Sequence, residues 1–234
     1  MHVQMHLLPL TFLLTLASGH FDLVEPRSRG SDHDKLAEFP CGGLPASSQR
    51  TQVSLTDPEL NIALKMGHDH SAVQVLLALG SDPGTNFNIT LVPTFAQIGL
   101  GDFCLPDVEL SEEKLGTRLT EGMEATLQVV TNGDPTGGLY NCADLVFTAS
   151  ASDDSPDGSC KNGTGVTASP FPTSVGRINA NESTANGGRQ GGSGGGNGDN
   201  NQGGKNPSGN AAASLQTAAW GVLGVAVLAA GALL

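Results

Sequence analysis

Residues 125–150, ATLQVVTNGDPTGGLYNCADLVFTAS, contain two short apolar runs separated by a turn rich in Gly, Asn, Asp and Pro. Runs of this length, rich in Val, Leu and Thr and bounded by turn residues, are typical of β-strands. Two more runs, 72–80 (AVQVLLALG) and 87–94 (FNITLVPT), have the turn-like sequence SDPGTN between them. One segment favours a helix, 111–119 (SEEKLGTRL), and Gly116 weakens it. The sequence therefore predicts an all-β fold, an antiparallel β-sandwich.

Residues 1–19 lack charged side chains and contain the apolar core LLPLTFLLTLA, followed by small residues. This pattern is typical of a secretory signal peptide and is too short for a membrane span. In place of the Lys or Arg that usually begins such a peptide, the chain has His2, His6 and the terminal amine. We expect cleavage after Gly19, which makes His20 the first residue of the mature, secreted protein.

The C-terminal residues 211–234 end in AAWGVLGVAVLAAGALL, an apolar tail with no Lys or Arg after it. Small residues, a short polar spacer and an apolar tail are the features of a glycosylphosphatidylinositol (GPI) anchor signal, which is removed when the lipid is attached. We place the attachment near Asn210, and a single-pass tail anchor is the alternative. Near Ala180 the composition becomes Gly- and Asn-rich, with little to bury. Residues 168–210 are therefore predicted to form a disordered stalk, and 20–167 the folded domain.

The mature chain is acidic, because all of its 11 Lys and Arg and 23 Asp and Glu residues lie between the two signals and give a net charge of −12. This charge disfavours nucleic acid and anionic membranes as direct ligands. Four cysteines are an even number for an oxidising compartment, and no Cys-x-x-Cys pair suggests zinc, so two disulfides are expected in one of three pairings. Sequons predict N-glycosylation at Asn88, Asn162 and Asn181.

A histidine at a free N-terminus offers a metal ion two nitrogens, those of its α-amine and of its imidazole. Nitrogen ligands in a tetragonal arrangement suit Cu(II), and one more histidine would complete a three-nitrogen site. Four histidines remain after signal removal: His20, His33, His68 and His70. His68 and His70 lie in LKMGHDHSAVQV, immediately before a predicted strand. We expect His20 and one of this pair to bind copper.

Four stretches carry a resemblance to a known family: HFDLVEPRSRG…FPCGG, HDHSAVQVLLALG, GDFCLP and GMEATLQVV…GGLYNCADLVF. Together they resemble the fungal copper proteins that are similar to lytic polysaccharide monooxygenases and include the copper acquisition factor. The resemblance covers nearly the whole predicted domain. It implies an immunoglobulin-like β-sandwich that holds one copper ion in a histidine brace. The first residue's amine and imidazole and a second histidine form that brace, with an aspartate as a further ligand.

Carried over to this sequence, the resemblance assigns the brace to His20 and His68, with His70 as the alternative for the second histidine. It assigns the aspartate to Asp144, which shares one face of a predicted strand with Tyr140. The aspartates that remain open as alternatives are Asp69, Asp102 and Asp107. The resemblance also implies the disulfide pairing Cys41–Cys142 and Cys104–Cys160.

The expected function is copper acquisition or homeostasis at the outer face of the plasma membrane or in the cell wall. The copper ion and a surface copper transporter are the candidate partners. The alternative is a copper-dependent lytic polysaccharide monooxygenase that acts on cell-wall polysaccharide. Such an enzyme binds flat polysaccharide with exposed aromatic rings. Here Trp220 lies in the tail that is removed, and Tyr140 lies in the predicted strand that contains Asp144. The sequence therefore favours copper binding without polysaccharide oxidation.

Overall fold

The computed structural model describes residues 20–133, 136–149, 160–173, 175 and 177–191. This part of the chain contains nine β-strands. In chain order they are β1 (Phe21–Glu25), β2 (Thr51–Ser54), β3 (Glu59–Met66), β4 (His70–Leu79), β5 (Ile89–Ile98), β6 (Gly101–Glu109), β7 (Glu124–Asn132), β8 (Gly138–Thr148) and β9 (Thr167–Pro170). The helical elements are α1 (Glu112–Leu115) and two 3-10 turns, Cys41–Gly43 and Ala180–Glu182.

The strands form two sheets that pack as a sandwich. One sheet has three strands in the order β1-β3-β6, and the other has six in the order β2-β8-β7-β4-β5-β9. All strand pairs are antiparallel except β2 with β8, which is parallel. The two predicted turn sequences join hairpins, β4 to β5 and β7 to β8. The segment that favoured a helix forms only α1, which Gly116 ends in the left-handed conformation. The predicted all-β sandwich is confirmed.

The hydrophobic core lies between the two sheets. Alternate residues of β4, β7 and β8 point into it, among them the fully buried Val75, Leu127 and Leu145. The three-stranded sheet contributes Phe21 and Phe103 to the same core. Because side chains alternate along a strand, the intervening residues of β4, β7 and β8 point to the outer face of the six-stranded sheet.

The outer face of the six-stranded sheet is also covered, so these strands are buried along most of their length. The loop that follows β1 crosses part of this face, where the Cys41 N–H donates to Gln128 Oε1 at 3.1 Å. A C-terminal strap, defined here as residues 177–191, covers another part. There Gln74 Nε2 donates to Asn179 Oδ1 at 3.1 Å, and Gln74 Oε1 accepts from the Ala180 N–H at 3.2 Å.

The strap moves the end of the folded domain beyond the predicted boundary at residue 167. That boundary falls inside β9, which pairs with β5, and the strap beyond it packs against the sheet. The composition was misleading because hydrogen bonds, and not apolar burial, hold most of the strap. Gln190, for example, donates to the carbonyls of Gly137 and Ser183 at 2.8 and 2.7 Å. The remainder of the predicted stalk, 192–210, lies outside the described residues.

Two disulfides tie the covering segments to the sheets. Cys41–Cys142 joins the loop after β1 to β8, and Cys104–Cys160 joins β6 to the segment before β9. This is the pairing that the resemblance implied, and no cysteine is left free. Within the described ranges, no helix has the length and apolar character needed to cross a membrane.

Candidate metal centre

His20 lies immediately before β1, at one end of the three-stranded sheet. Its carbonyl accepts a hydrogen bond from the Gly67 N–H at 2.9 Å, which extends the ladder in which Phe21 pairs with Met66. A Cβ at position 67 would collide with the His20 carbonyl, so this close approach requires glycine. Because His68 follows Gly67, the ladder brings the two predicted brace histidines to the same end of the sheet.

His68 lines a cleft that has the unsatisfied nitrogen expected of a ligand. The cleft has a volume of about 220 Å³ and is lined by His68, His70, Asn132, Gly133, Thr184, Ala185 and Gln190. Within the described structure, His68 Nε2 is buried and has no hydrogen-bond partner. Leaving a buried polar atom unpaired is unfavourable by about 1–3 kcal/mol. Metal coordination by the neutral imidazole would remove this penalty.

His70, the alternative second ligand, has a different environment. It is the first residue of β4, its side chain is about half exposed, and its Nδ1 lies 3.5 Å from Asp69 Oδ2. The Asp69 carboxylate is itself largely exposed. His70 therefore has an acidic neighbour in solvent, whereas His68 has a buried nitrogen without a partner. This contrast favours His68, and the assignment stays a prediction.

Two side chains to which the sequence analysis gave no role lie next to His20. The His33 ring stacks on the His20 ring, with centroids 4.8 Å apart and an angle of 9° between the planes. His33 Nε2 is 2.9 Å from Asp22 Oδ1, and the Ser31 hydroxyl donates to the same oxygen. Asp22 could have been found from its spacing, because residues i and i+2 of a strand share a face. His33 carries no such signal, because a loop brings it there.

The Asp22 carboxyl loses its proton more readily than an ordinary aspartic acid. Partial burial raises its pKa, but hydrogen bonds from Ser31 and His33, together with the charges of His33 and His20, lower the pKa by more. The net pKa of Asp22 is therefore below its usual value. A negative charge thus lies beside the two stacked rings at neutral pH, where it favours a positive charge nearby.

Asp144 is held by a separate network of side chains. It is almost fully buried, and its two oxygens accept hydrogen bonds from the Arg29 guanidinium at 2.8 and 2.9 Å. The Thr126 hydroxyl and the Ser47 N–H also donate to it, at 2.9 and 2.8 Å, and Arg50 lies at 3.8 Å. These donors make Asp144 a structural anchor of the fold. Its assignment as a copper ligand stays a prediction.

The strand around Asp144 was predicted correctly, and the structure adds the direction of its face. Tyr140 and Asp144 do share one face of β8, and that face is the outer one, away from the sheet that contains β1. Gly138, at the start of β8, pairs with Asn132 of the cleft. Asp144 lies six residues further along (144 − 138), about 20 Å at the rise of a β-strand. The fold therefore separates this carboxylate from the cleft that contains His68.

Burial and hydrogen bonding act on the Asp144 carboxyl in opposite directions. Burial raises its pKa, but the hydrogen bonds from Arg29, Ser47 and Thr126 and the Arg29 charge lower the pKa by more, so that it is below its usual value. Asp144 is thus ionised at neutral pH, and its charge is balanced within the protein.

The alternative aspartates have different surroundings, and their assignment as ligands stays a prediction. Asp69 is beside His70, Asp102 forms an exposed ion pair with Lys65 at 3.0 Å, and Asp107 lies on β6. Among the residues that the structure describes, no three His, Cys, Asp or Glu side chains gather into a metal-binding cluster. A histidine brace does not need such a cluster, because one residue supplies two of its three nitrogens.

The predicted modification sites differ in their surroundings. Asn88 and Asn162 are exposed, and Asn162 Oδ1 accepts from the Cys104 N–H at 2.7 Å. Asn181 is half-buried in the strap, where its side chain is hydrogen-bonded to the Tyr140 hydroxyl. Glycosylation at all three stays a prediction. Outside the described residues lie the predicted signal 1–19, Asn210 and the tail 211–234.

Comparison with protein families accounts for this combination of fold and histidines. Residues 18–165 match the model of the copper acquisition factor BIM1-like domain, a range that covers more than half of the chain. The chain belongs to the BIM1-like copper acquisition factor family. Family membership gives the protein a copper-related function, and the matched range contains His20, His33 and His68.

Three relatives illustrate the range of the family. An uncharacterized protein of Aspergillus fumigatus is 53% identical over 224 residues, which cover 91% of this chain and 92% of that protein. The lytic polysaccharide monooxygenase-like protein X325 of Yarrowia lipolytica is 33% identical over 174 residues, covering 71% of this chain and 62% of the relative. The copper acquisition factor BIM1 of Cryptococcus neoformans is 32% identical over 146 residues, covering 58% and 64%. This chain therefore spans somewhat less than two thirds of the last two relatives.

Proposed function

We propose that this BIM1-like protein binds one Cu(II) ion at the cell surface through a histidine brace and acts in copper acquisition or homeostasis. The ligands are the amine and imidazole of His20 and the Nε2 atom of His68. The observation that carries the proposal is the buried, unpartnered Nε2 of His68, next to the glycine that pairs with His20. Imidazole and amine nitrogens are ligands that Cu(II) prefers.

Each part of the chain has a distinct task in this proposal. Removal of residues 1–19 frees the His20 amine, because an amide nitrogen inside the chain is a poor ligand. Gly67, the residue before His68, allows the His20 backbone to approach closely. The negative charge of Asp22 favours a cation near the His20 ring. Bound there, copper would be held as Cu(II) by nitrogen donors in a partly buried site.

Copper handling is favoured over polysaccharide oxidation by the described surface. The large apolar side chains exposed on it are Val24, Phe39 and Leu100, and neither Trp nor Tyr is among them. Phe39 packs edge-on against Tyr140, with ring centroids 5.1 Å apart, and makes a similar contact with Phe87. One phenylalanine in edge contacts is a small surface for stacking on sugar rings.

The location of the protein follows from its two predicted signals. We propose that it is exported by the signal 1–19 and held at the outer face of the plasma membrane or cell wall by a GPI lipid near Asn210. A soluble copper carrier would lose its metal to the medium, whereas an anchored one keeps it near the cell. A surface copper transporter is the partner that this arrangement suits.

The proposal is tested on mature protein that begins at His20, compared with a variant that carries one alanine before His20. We expect the mature protein to bind one Cu(II) ion in calorimetry, with nitrogen hyperfine structure in its EPR spectrum. Changes outside the ligand set typically reduce metal affinity roughly 10–100-fold. The extended variant should lose more Cu(II) affinity than that. Equal affinities for the two proteins would refute the brace.

The second ligand is tested by two matched substitutions. His68→Ala should reduce Cu(II) affinity about as much as the alanine extension does, because each removes one nitrogen donor. His70→Ala, two residues away, should have a small effect because that ring is exposed and interacts with Asp69. The reverse order would assign the second ligand to His70. Unfolding curves of both variants should match that of the parent protein, because neither side chain belongs to the core.

A further inference from the structure

The proposed copper ligand His20 is the first residue of the predicted mature chain. Terminal residues are usually poorly ordered, and a ligand that moves freely loses conformational entropy when it binds. The backbone hydrogen bond to Gly67 fixes the carbonyl of His20, but it does not fix the direction of the His20 ring. A contact made by the ring itself restricts that direction before the metal arrives.

The His33 ring makes that contact. It lies parallel to the His20 ring within 9°, with the two centroids 4.8 Å apart. Its Nε2 is bound to Asp22 Oδ1 at 2.9 Å, which fixes the orientation of the His33 ring itself. In the neutral imidazole, the proton then resides on Nε2, where it is donated to the carboxylate.

The segment that carries His33 is anchored to the opposite sheet. The Arg29 N–H donates to the Cys142 carbonyl at 2.8 Å, and its guanidinium is bound to Asp144 and to the Leu44 carbonyl. Two residues later, the Ser31 hydroxyl donates to Asp22 on β1. Residues 29–33 therefore form a connection that runs from the buried Asp144 anchor on β8 to the ring of His20.

From this arrangement we infer that His33 is a positioning residue for the copper ligand His20, and not a ligand itself. The stacked ring restricts His20 to one orientation, and the bond to Asp22 keeps His33 in place to do so. The inference rests on the proposed brace, and it adds a group that determines how well the brace is formed in the metal-free protein. The anchor at Asp144 affects the site only through this connection.

The test compares three variants of mature protein that begins at His20: His33→Ala, His33→Phe and Asp34→Ala. Alanine removes both the stacked ring and the bond to Asp22, whereas phenylalanine keeps a flat ring but cannot bind metal. Asp34→Ala is the matched control, because it shortens an exposed side chain in the same loop. Cu(II) affinity, Cu(II) EPR spectra, and nuclear Overhauser effects between rings 20 and 33 of the metal-free protein are measured.

We expect His33→Ala to weaken Cu(II) binding about 10-fold, the low end of the range for groups that orient metal ligands, and to broaden the EPR spectrum. His33→Phe should recover most of the affinity and the parent spectrum, and Asp34→Ala should match the parent. The metal-free parent should show contacts between the two rings. Because His33 is half exposed, its loss should leave the unfolding midpoint unchanged.

Two results would overturn the inference. One is parental affinity and an unchanged spectrum in His33→Ala. The other is the loss of a nitrogen coupling in both His33→Ala and His33→Phe, which would make His33 a ligand. Failure of the proposed brace is a separate outcome, because it would be seen in the parent protein as copper binding that is insensitive to an added residue before His20.

Discussion

Replacing Asp144 with asparagine separates a structural role from a metal-binding one. The side chains of Arg29 and Asp144 are 5% and 0% exposed, and removing one partner of such a buried pair destabilises a protein by about 3–5 kcal/mol. Arg29 keeps its hydrogen bonds to the Leu44 carbonyl and the Thr126 hydroxyl. We therefore expect Asp144→Asn to lower the free energy of unfolding by about 3 kcal/mol, the low end of that range.

The control is Asp102→Asn, which removes the same charge from an exposed pair. Asp102 Oδ1 and Lys65 Nζ are 3.0 Å apart, but the two side chains are 68% and 58% exposed, so the expected loss is about 0–1 kcal/mol. Guanidinium unfolding of the metal-free, disulfide-intact proteins measures both values. Calorimetry with Cu(II) should give an affinity for Asp144→Asn within about threefold of the parent value, because the substitution changes the stability of the fold and not the proposed brace. Full stability combined with a large loss of copper affinity would refute this reasoning.

The same substitution makes a prediction about pH. The Asp144 carboxyl has a lowered pKa in the folded protein, so its contribution to stability is complete above the unfolded value of about 3.9. That contribution is lost as the pH falls from there through the folded pKa. The difference in unfolding free energy between parent and Asp144→Asn should therefore be constant from neutral pH to about pH 5 and shrink below about pH 4. A difference that grows on acidification would contradict this account.

Two further predictions concern the site and its attachment to the cell. Gly67→Ala should weaken Cu(II) binding about 10-fold while most of the sandwich stays folded, because the added Cβ pushes the His20 carbonyl away. The control is Gly163→Ala, which should bind Cu(II) as the parent does because a Cβ there meets only ordinary contacts. Phosphatidylinositol-specific phospholipase should release the protein from cells into the medium, and retention of a form that still carries the C-terminal GALL sequence would instead establish a tail anchor.

The sandwich was predictable because its signals are local. The apolar runs of β4 and β7 and the turn residues that bound them can be recognised within a dozen residues. Gly116, which weakened the helical signal, ends α1. The disulfide pairing was not local, and it came from the resemblance alone. Cys41 and Cys142 are 101 residues apart, and composition gives no preference among three pairings.

The surroundings of the site were less predictable because they depend on which face each strand turns to the core. The spacing of Tyr140 and Asp144 fixes that they share a face, but only the packing of Arg29, 115 residues earlier, shows that this face is the outer one. His33 reaches His20 through an irregular loop. A loop has no regular alternation of side-chain directions from which this contact could be predicted. The strap was missed because amide hydrogen bonds such as those of Gln74 leave no apolar pattern in the sequence.

The strap ends beside the cleft, since Gln190 lines it together with His68. The last described residues therefore lie near His68, the proposed copper ligand. Purification design follows from this arrangement. A polyhistidine tag placed soon after Gly191 would present its imidazoles to the copper site at an effective concentration in the millimolar range, typical of short flexible linkers. Measured copper stoichiometry and EPR spectra would then report the tag as well as the protein. A cleavable tag without histidine at that end avoids the problem, and the N-terminus must be left bare.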